Sequence, residues 1–132
     1  MAARPHKMHA ALPLAWMGVL YWISSIPGTP SPEDPAVYVV FHWTPPELQN
    51  ALHVPAYAVL GAAWRRALDA WLRAPGARAY GAFAVTSAYG LLDEWHQSFV
   101  PGRYASLTDV ALDVAGALAG TWLAGRLWKK TI

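Results

Sequence analysis

The segment 91–120, reading LLDEWHQSFVPGRYASLTDVALDVAGALAG, sets Asp93, Glu94 and Gln97 at the end of one apolar helical run and Asp109 and Asp113 at the start of the next, with Pro101, Gly102 and Arg103 between them. Carboxylates in such a group can exchange protons or hold a hard cation through oxygen. An Asp at the centre of a membrane helix costs roughly 2.5–3.5 kcal/mol on insertion scales, so acids kept within apolar helices mark a functional-site hypothesis. Farther upstream, Gln49, Asn50 and His53 open another apolar run, and Ser24-Ser25-Ile26-Pro27 closes the first.

The elements that must carry these residues are four apolar segments, approximately 10–26, 48–64, 79–97 and 107–128. Each is close to the ~20 residues, range ~17–25, that cross a bilayer. The second carries His53 and Pro55, so an interfacial or re-entrant helix is the alternative there. The intervening stretch 27–46 contains Pro27, Pro30, Pro32, Pro35, Pro45 and Pro46 and is expected to be an irregular cover with little regular structure. No internal repeat or low-complexity tract is visible.

Composition agrees with this division. The chain of 132 residues is one domain, 55% apolar and 14% charged, with eight Trp and six Tyr. A net charge of +2 and a pI near 9.1 do not indicate nucleic acid, because the basic residues form no single stripe. The absence of cysteine excludes disulfides, thiolate metal sites and thiol nucleophiles. Nine basic residues fall on one side of the expected membrane: Arg4, Lys7, Arg65, Arg66, Arg73, Arg78, Arg126, Lys129 and Lys130. Only Arg103 falls on the other, where Glu33, Asp34 and Glu47 lie. The positive-inside rule therefore predicts an all-α integral membrane bundle of four transmembrane helices with both termini cytoplasmic and the loops 27–47 and 98–106 outside. A cleaved signal peptide is the competing reading of the first segment, but a clear Ala-x-Ala site is missing.

In this topology, four sequence regions bring polar residues to the extracytoplasmic third of the bundle. Residues three or four apart share a helix face, which aligns Asn50, His53, Tyr57 and Gly61 in one helix and Asp93 with Gln97 in the next. In the last helix it aligns Asp109, Asp113, Gly116 and Gly120. The Gly116-x-x-x-Gly120 step permits close helix contact and turns the Asp109–Asp113 face toward a neighbour. Simpler roles stand beside these. Pro101-Gly102 can be only a reversing turn and His53 only an interior hydrogen-bonding group. Asp109 can favour a helix N-terminus, and Arg103 can form an ion pair with Asp93, Glu94 or Asp109. Trp43, Trp95 and Trp128 can be interfacial anchors.

At these residues the chain resembles the VanZ-like family of small bacterial membrane proteins. DEWHQSFVPGRYASLTDVALDVAG is similar to the family's Asp-Glu-x-x-Gln-x-x-x-Pro-Gly-Arg run followed by Asp-x-x-x-Asn/Asp-x-x-Gly, matching Asp93, Glu94, Gln97, Pro101, Gly102, Arg103, Asp109, Asp113 and Gly116. In the first half, Ser24-Ser25-Ile26-Pro27 fits in part. His53 and Tyr57 keep the spacing of a second family pattern whose opening Asp-Lys is replaced here by Gln49-Asn50. The resemblance implies a multi-pass α-helical protein of the bacterial cytoplasmic membrane. It also implies an association with teicoplanin resistance, without a defined reaction.

Three functions follow from the residues. The first is an enzyme or binder of a lipid-linked or cell-envelope component, with His53, Asp93, Glu94, Gln97, Arg103, Asp109 and Asp113 as one polar site. The carboxylates would hold a divalent cation, His53 would act as general base and Arg103 would contact a phosphate. The second is a non-catalytic assembly factor whose buried polar network holds the helices together. The third, a proton path or transporter, is disfavoured because the opposite halves of the helices offer no ionisable residue to continue it. No Ser-His-Asp order, HExxH or phosphate loop is present, so the sequence assigns no catalytic residue; membrane lipids are the expected partners, and the oligomeric state is open.

Overall fold

The computed structural model describes residues 9–128, and among them every regular element is a helix. Five follow in order: α1 Ala11–Ser24, α2 Ala36–Trp43, α3 Pro46–Leu68, α4 Pro75–Gln97 and α5 Leu107–Leu127. Arg4, Lys7, Lys129 and Lys130, counted in the charge asymmetry, lie outside the described residues.

The four expected segments correspond to α1, α3, α4 and α5, with shifted ends. α3 and α4 each have 23 residues, and Pro46 and Pro75 occupy first-turn positions where a missing N–H costs nothing. At 1.5 Å per residue each is about 34 Å long. α3 runs through His53 and Pro55 without a break. α1 has only 14 residues, fewer than expected, because Ser25 already caps it and Pro27 follows. Only α5, with 21 residues, is both long and apolar enough to cross a membrane by length and composition; α1 is apolar but shorter. The His, Gln, acid and Arg residues of α3 and α4 lower their hydropathy.

The stretch 27–46 departs from the expected irregular cover. α2 occupies eight residues of it, AVYVVFHW. The prolines flank this apolar run at Pro35 and Pro45 and do not interrupt it, so they delimit a helix.

α3 and α5 make the most extensive helix pair, α4 packs on both, and α1 leans on α3 and α4. The α3–α5 contact rests on the predicted small residues. A Cβ at Gly116 would meet the Val54 carbonyl, and one at Gly120 would overlap the backbone of Ala58. The helices are thus in backbone contact. Gly61 does the same from α3, facing Ala117 and Thr121.

Polarity is arranged outward-apolar. Leu12, Leu14, Tyr80, Leu91, Trp95, Leu118 and Leu127 are all more than half exposed, while Asp93, Glu94, Gln97, Asp109 and Asp113 are buried. Arg65, Arg66 and Arg126 occupy the opposite end of the bundle from these acids, at the ends of α3 and α5.

Candidate functional site

The acidic end is assembled by three long helices and two ties between their ends. α4 finishes at Gln97, and the chain reverses through Val100-Pro101-Gly102-Arg103, closed by the Arg103 N–H on the Val100 carbonyl at 3.1 Å. Gly102 has φ +75°, the left-handed conformation that this turn requires of its third residue. The Gly28 N–H donates to the Pro101 carbonyl at 2.9 Å, fastening the segment after α1 to the turn. Ser106 then caps α5, accepting the Thr108 N–H at 3.1 Å. Its own N–H donates to Glu94 Oε2 at 2.8 Å, so Glu94 joins the end of α4 to the start of α5.

Within this frame the polar side chains separate into two groups. The first is centred on Asp93. Its carboxylate accepts from the Ser24 hydroxyl of α1 and from the Tyr57 hydroxyl of α3, the latter at 3.1 Å. Ser24 and Tyr57 are themselves buried, so one acid with both oxygens engaged ties three helices together. Around it, Tyr89 donates to the Met17 carbonyl at 2.6 Å and the Trp16 indole to the Ala56 carbonyl at 2.9 Å.

The second group holds His53, Glu94 and Asp113. His53 Nδ1 lies 2.6 Å from Asp113 Oδ1, and one donor atom from each of the three residues falls within 4.8 Å of the others. Asp113 is fully buried, and Gly90 on α4 makes room for it: a Cβ there would sit 2.8 Å from the Asp113 Cβ. His53 stays partly exposed, with 18% of its side chain accessible. Asp109, one turn before Asp113 on the same face, is buried beside them. Three carboxylate oxygens here have no hydrogen-bond partner: Glu94 Oε1, Asp109 Oδ1 and Asp113 Oδ2. Buried polar atoms are normally partnered, and such exceptions call for a ligand, a proton or water.

Glu94 also belongs to the wall of an open groove between α4 and α5, about 680 Å³ in volume. Leu91, Leu92, Trp95, Leu107 and Val110 make it apolar, with Ser106 at its polar edge. A buried acid therefore borders both a hydrophobic channel and the His53–Asp113 pair.

Two sequence expectations need correction. The sequence predicts that Arg103 pairs with Asp93, Glu94 or Asp109, or offers its fork to a phosphate. Its Nε instead donates to the Ile26 carbonyl at 2.9 Å and its Nη2 to the Ile23 carbonyl at 2.8 Å, and the guanidinium lies 4.4 Å from the centre of the Phe41 ring. The carbonyls at the end of α1 need donors, and a cation at a helix C-terminus is favoured by its dipole. Burial lowers the Arg103 pKa, while the charges of Asp93, Glu94 and Asp109 act in the opposite direction from a distance. Nor do the seven candidates form one undivided set: Asp93 is committed to Ser24 and Tyr57, and Gln97 is buried at the end of α4.

Ser24, Tyr57 and the Ser106 amide contribute to this end of the bundle and are not among the seven sequence candidates. The polar Ser24-Ser25 pair at a helix end and the i, i+4 spacing of His53 and Tyr57 were the available signals for the first two. The Ser106 contribution comes from backbone and has no side-chain signature. His96, stacked on Tyr21 at 4.6 Å and 3.1 Å from the Ser25 hydroxyl, forms a separate, more exposed contact between α4 and α1.

The fold and site define an all-helical bundle that gathers its buried carboxylates at one end, beside a Pro-Gly-Arg turn. The VanZ/LLP1 family model matches residues 9–128, and the chain belongs to that family. Neither the curated proteins nor the solved structures yield a match.

Proposed function

We propose that this VanZ-family protein is a multi-pass protein of the bacterial cytoplasmic membrane that binds a lipid-linked or cell-envelope component at its outer face. The observation that carries the reading is the meeting of unpartnered, buried carboxylate oxygens on Glu94, Asp109 and Asp113 with an apolar groove that Glu94 itself lines. The polar head of an amphiphile would occupy the His53–Glu94–Asp113 end while its chain lies along Leu91, Leu92 and Val110.

The membrane placement is supported by the large apolar side chains facing outward on each long helix, a surface that water does not favour at this extent. The length of α5 and the segregation of Arg65, Arg66, Arg73, Arg78 and Arg126 from the buried acids agree with four spans, cytoplasmic termini and an outward acidic end. α1 would cross as a short, tilt-free span in a locally thinned bilayer, an accommodation that costs fractions of a kcal/mol per Å of mismatch. The family's association with glycopeptide resistance fits an envelope role of this kind.

A second reading is favoured at Asp93 alone. Its satisfied contacts with Ser24 and Tyr57 describe a structural tie, as expected of an assembly network. We assign that role to Asp93 and the binding role to His53, Glu94 and Asp113.

The test is the lipid that copurifies with the protein from native membranes, identified by mass spectrometry. Enrichment of a polyprenyl phosphate or another envelope lipid over the bulk membrane, lost in Glu94→Gln, is the expected result. A copurifying lipid profile identical to that of the bulk membrane in both proteins would contradict the proposal.

A further inference from the structure

We propose that His53, Glu94 and Asp113 bind one first-row divalent metal ion of the Zn²⁺ or Mn²⁺ type, with a coordination position left for an oxygen of the ligand's anionic head. The inference deepens the binding role proposed above and rests on it only for that last clause. One imidazole and two carboxylates, each from a different helix, present donor atoms within 4.8 Å of one another. In filled sites Zn–N is about 2.0–2.1 Å and Zn–O about 2.0–2.2 Å, so closing a shell around the ion needs small side-chain shifts and leaves the helices in place.

A cluster of acids alone would not carry this. The independent observation is that Asp113 is fully buried and Glu94 nearly so, yet Asp113 Oδ2 and Glu94 Oε1 have no partner. Asp109 adds a third such oxygen, Oδ1, from one turn away. Among the described residues no Lys or Arg is paired with these carboxylates: Arg103, the nearest in sequence, has donors on the Ile23 and Ile26 carbonyls. A dication would supply the missing charge and the missing contacts together.

The donor set selects the metal. All-oxygen shells suit Ca²⁺ and Mg²⁺, whereas an imidazole among carboxylates suits Zn²⁺ or Mn²⁺. This assigns His53 to the shell and withdraws it from the general-base role that its position beside the acids suggests. The Ser106 N–H, bonded to Glu94 Oε2, would orient that ligand from the second shell and leave Oε1 for the metal. The contact between His53 Nδ1 and Asp113 Oδ1 must open as the ion enters, since both atoms belong to groups that turn their lone pairs to the metal. The partly exposed His53 face is where a further oxygen can reach the ion.

The experiment is calorimetric titration of full-length, chelator-stripped protein in detergent with Zn²⁺ and with Mn²⁺, alongside metal analysis of the protein as purified. One equivalent should bind. His53→Gln and Glu94→Gln should each weaken binding by at least about tenfold. Asp34→Asn, which alters the separate His42–Asp34 contact at 3.8 Å, should leave it unchanged. The inference is overturned if neither ion binds below millimolar concentration, if binding survives both cluster substitutions, or if Asp34→Asn abolishes it. The wild-type titration decides on its own should a variant misfold. Lipid retention without any bound metal would sink this inference and spare the proposed function; bound metal without lipid retention would do the reverse.

Discussion

Asp93 and Asp113 are both buried acids on neighbouring helices, but their oxygens meet different surroundings. Both Asp93 oxygens receive hydroxyls, from Ser24 and Tyr57. Asp113 shares one oxygen with His53 and leaves the other unpartnered. Asp93→Ala would leave the buried Tyr57 hydroxyl without its acceptor, worth about 1–3 kcal/mol, and turn Ser24 back to the Leu20 carbonyl of its own helix, cutting the tie to α1, so it should reduce the folded yield and thermal midpoint of the purified protein. Tyr57→Phe, removing one donor from the same acid, should cost about 1 kcal/mol in the same assay. At Arg103, the fork spans the Ile23 and Ile26 carbonyls, and a lysine ammonium reaches them only as a point charge. Arg103→Lys should therefore lower thermal stability while leaving lipid retention intact; loss of retention with unchanged stability would return Arg103 to the binding site. These distinctions were partly legible in the sequence. The acids and His53 stood out because ionisable groups in apolar helices are costly. Which acid faces hydroxyls, and which faces a histidine, depends on helix rotation about α3 and α4, and residue type does not reveal it.

Among the elements, the pairing of α3 with α5 decides whether the acidic end exists at all. Gly116 and Gly120 bring the α5 backbone against Val54, next to His53, and Ala58, just over a turn farther along, and so set the register that puts His53 opposite Asp113. Gly120→Leu would drive a side chain into the Ala58 backbone. A cost of about 1–3 kcal/mol for such overpacking is the ordinary range, and backbone contact places this site at its upper end. The expected outcome is aggregated or degraded protein, checked by fluorescence-detected size exclusion. Sequence spacing foretold this face, because small residues four apart on an apolar helix have few other uses. α2 was hidden for the opposite reason. Its flanking prolines read as loop signals, although Pro35 and Pro45 stand outside the AVYVVFHW run and permit a helix between them. The early end of α1 was likewise masked, since its apolar run continues through Ile26 while the backbone stops at the Ser25 cap.

At the scale of the whole molecule, the bundle carries its buried acids at one end and its described arginines, other than Arg103, toward the other, where Asp69 pairs with Arg78. Reporter fusions at residue 70 should report the cytoplasm and fusions at residue 30 the outer side; the reverse pattern would move the acidic end inward and with it the proposed ligand. The claim that most needs testing is that the His53–Glu94–Asp113 end binds something and is not simply structural. Asp113→Asn tests it most directly, because the amide oxygen can still accept from His53 while the charge is gone. The readout is paired: thermal midpoint in detergent and envelope lipid retained from native membranes. The account predicts a midpoint within about 4 °C of the wild type, roughly 1 kcal/mol for a domain of this size, together with loss of the retained lipid. A large fall in midpoint with lipid retention undiminished in the surviving folded protein would contradict it.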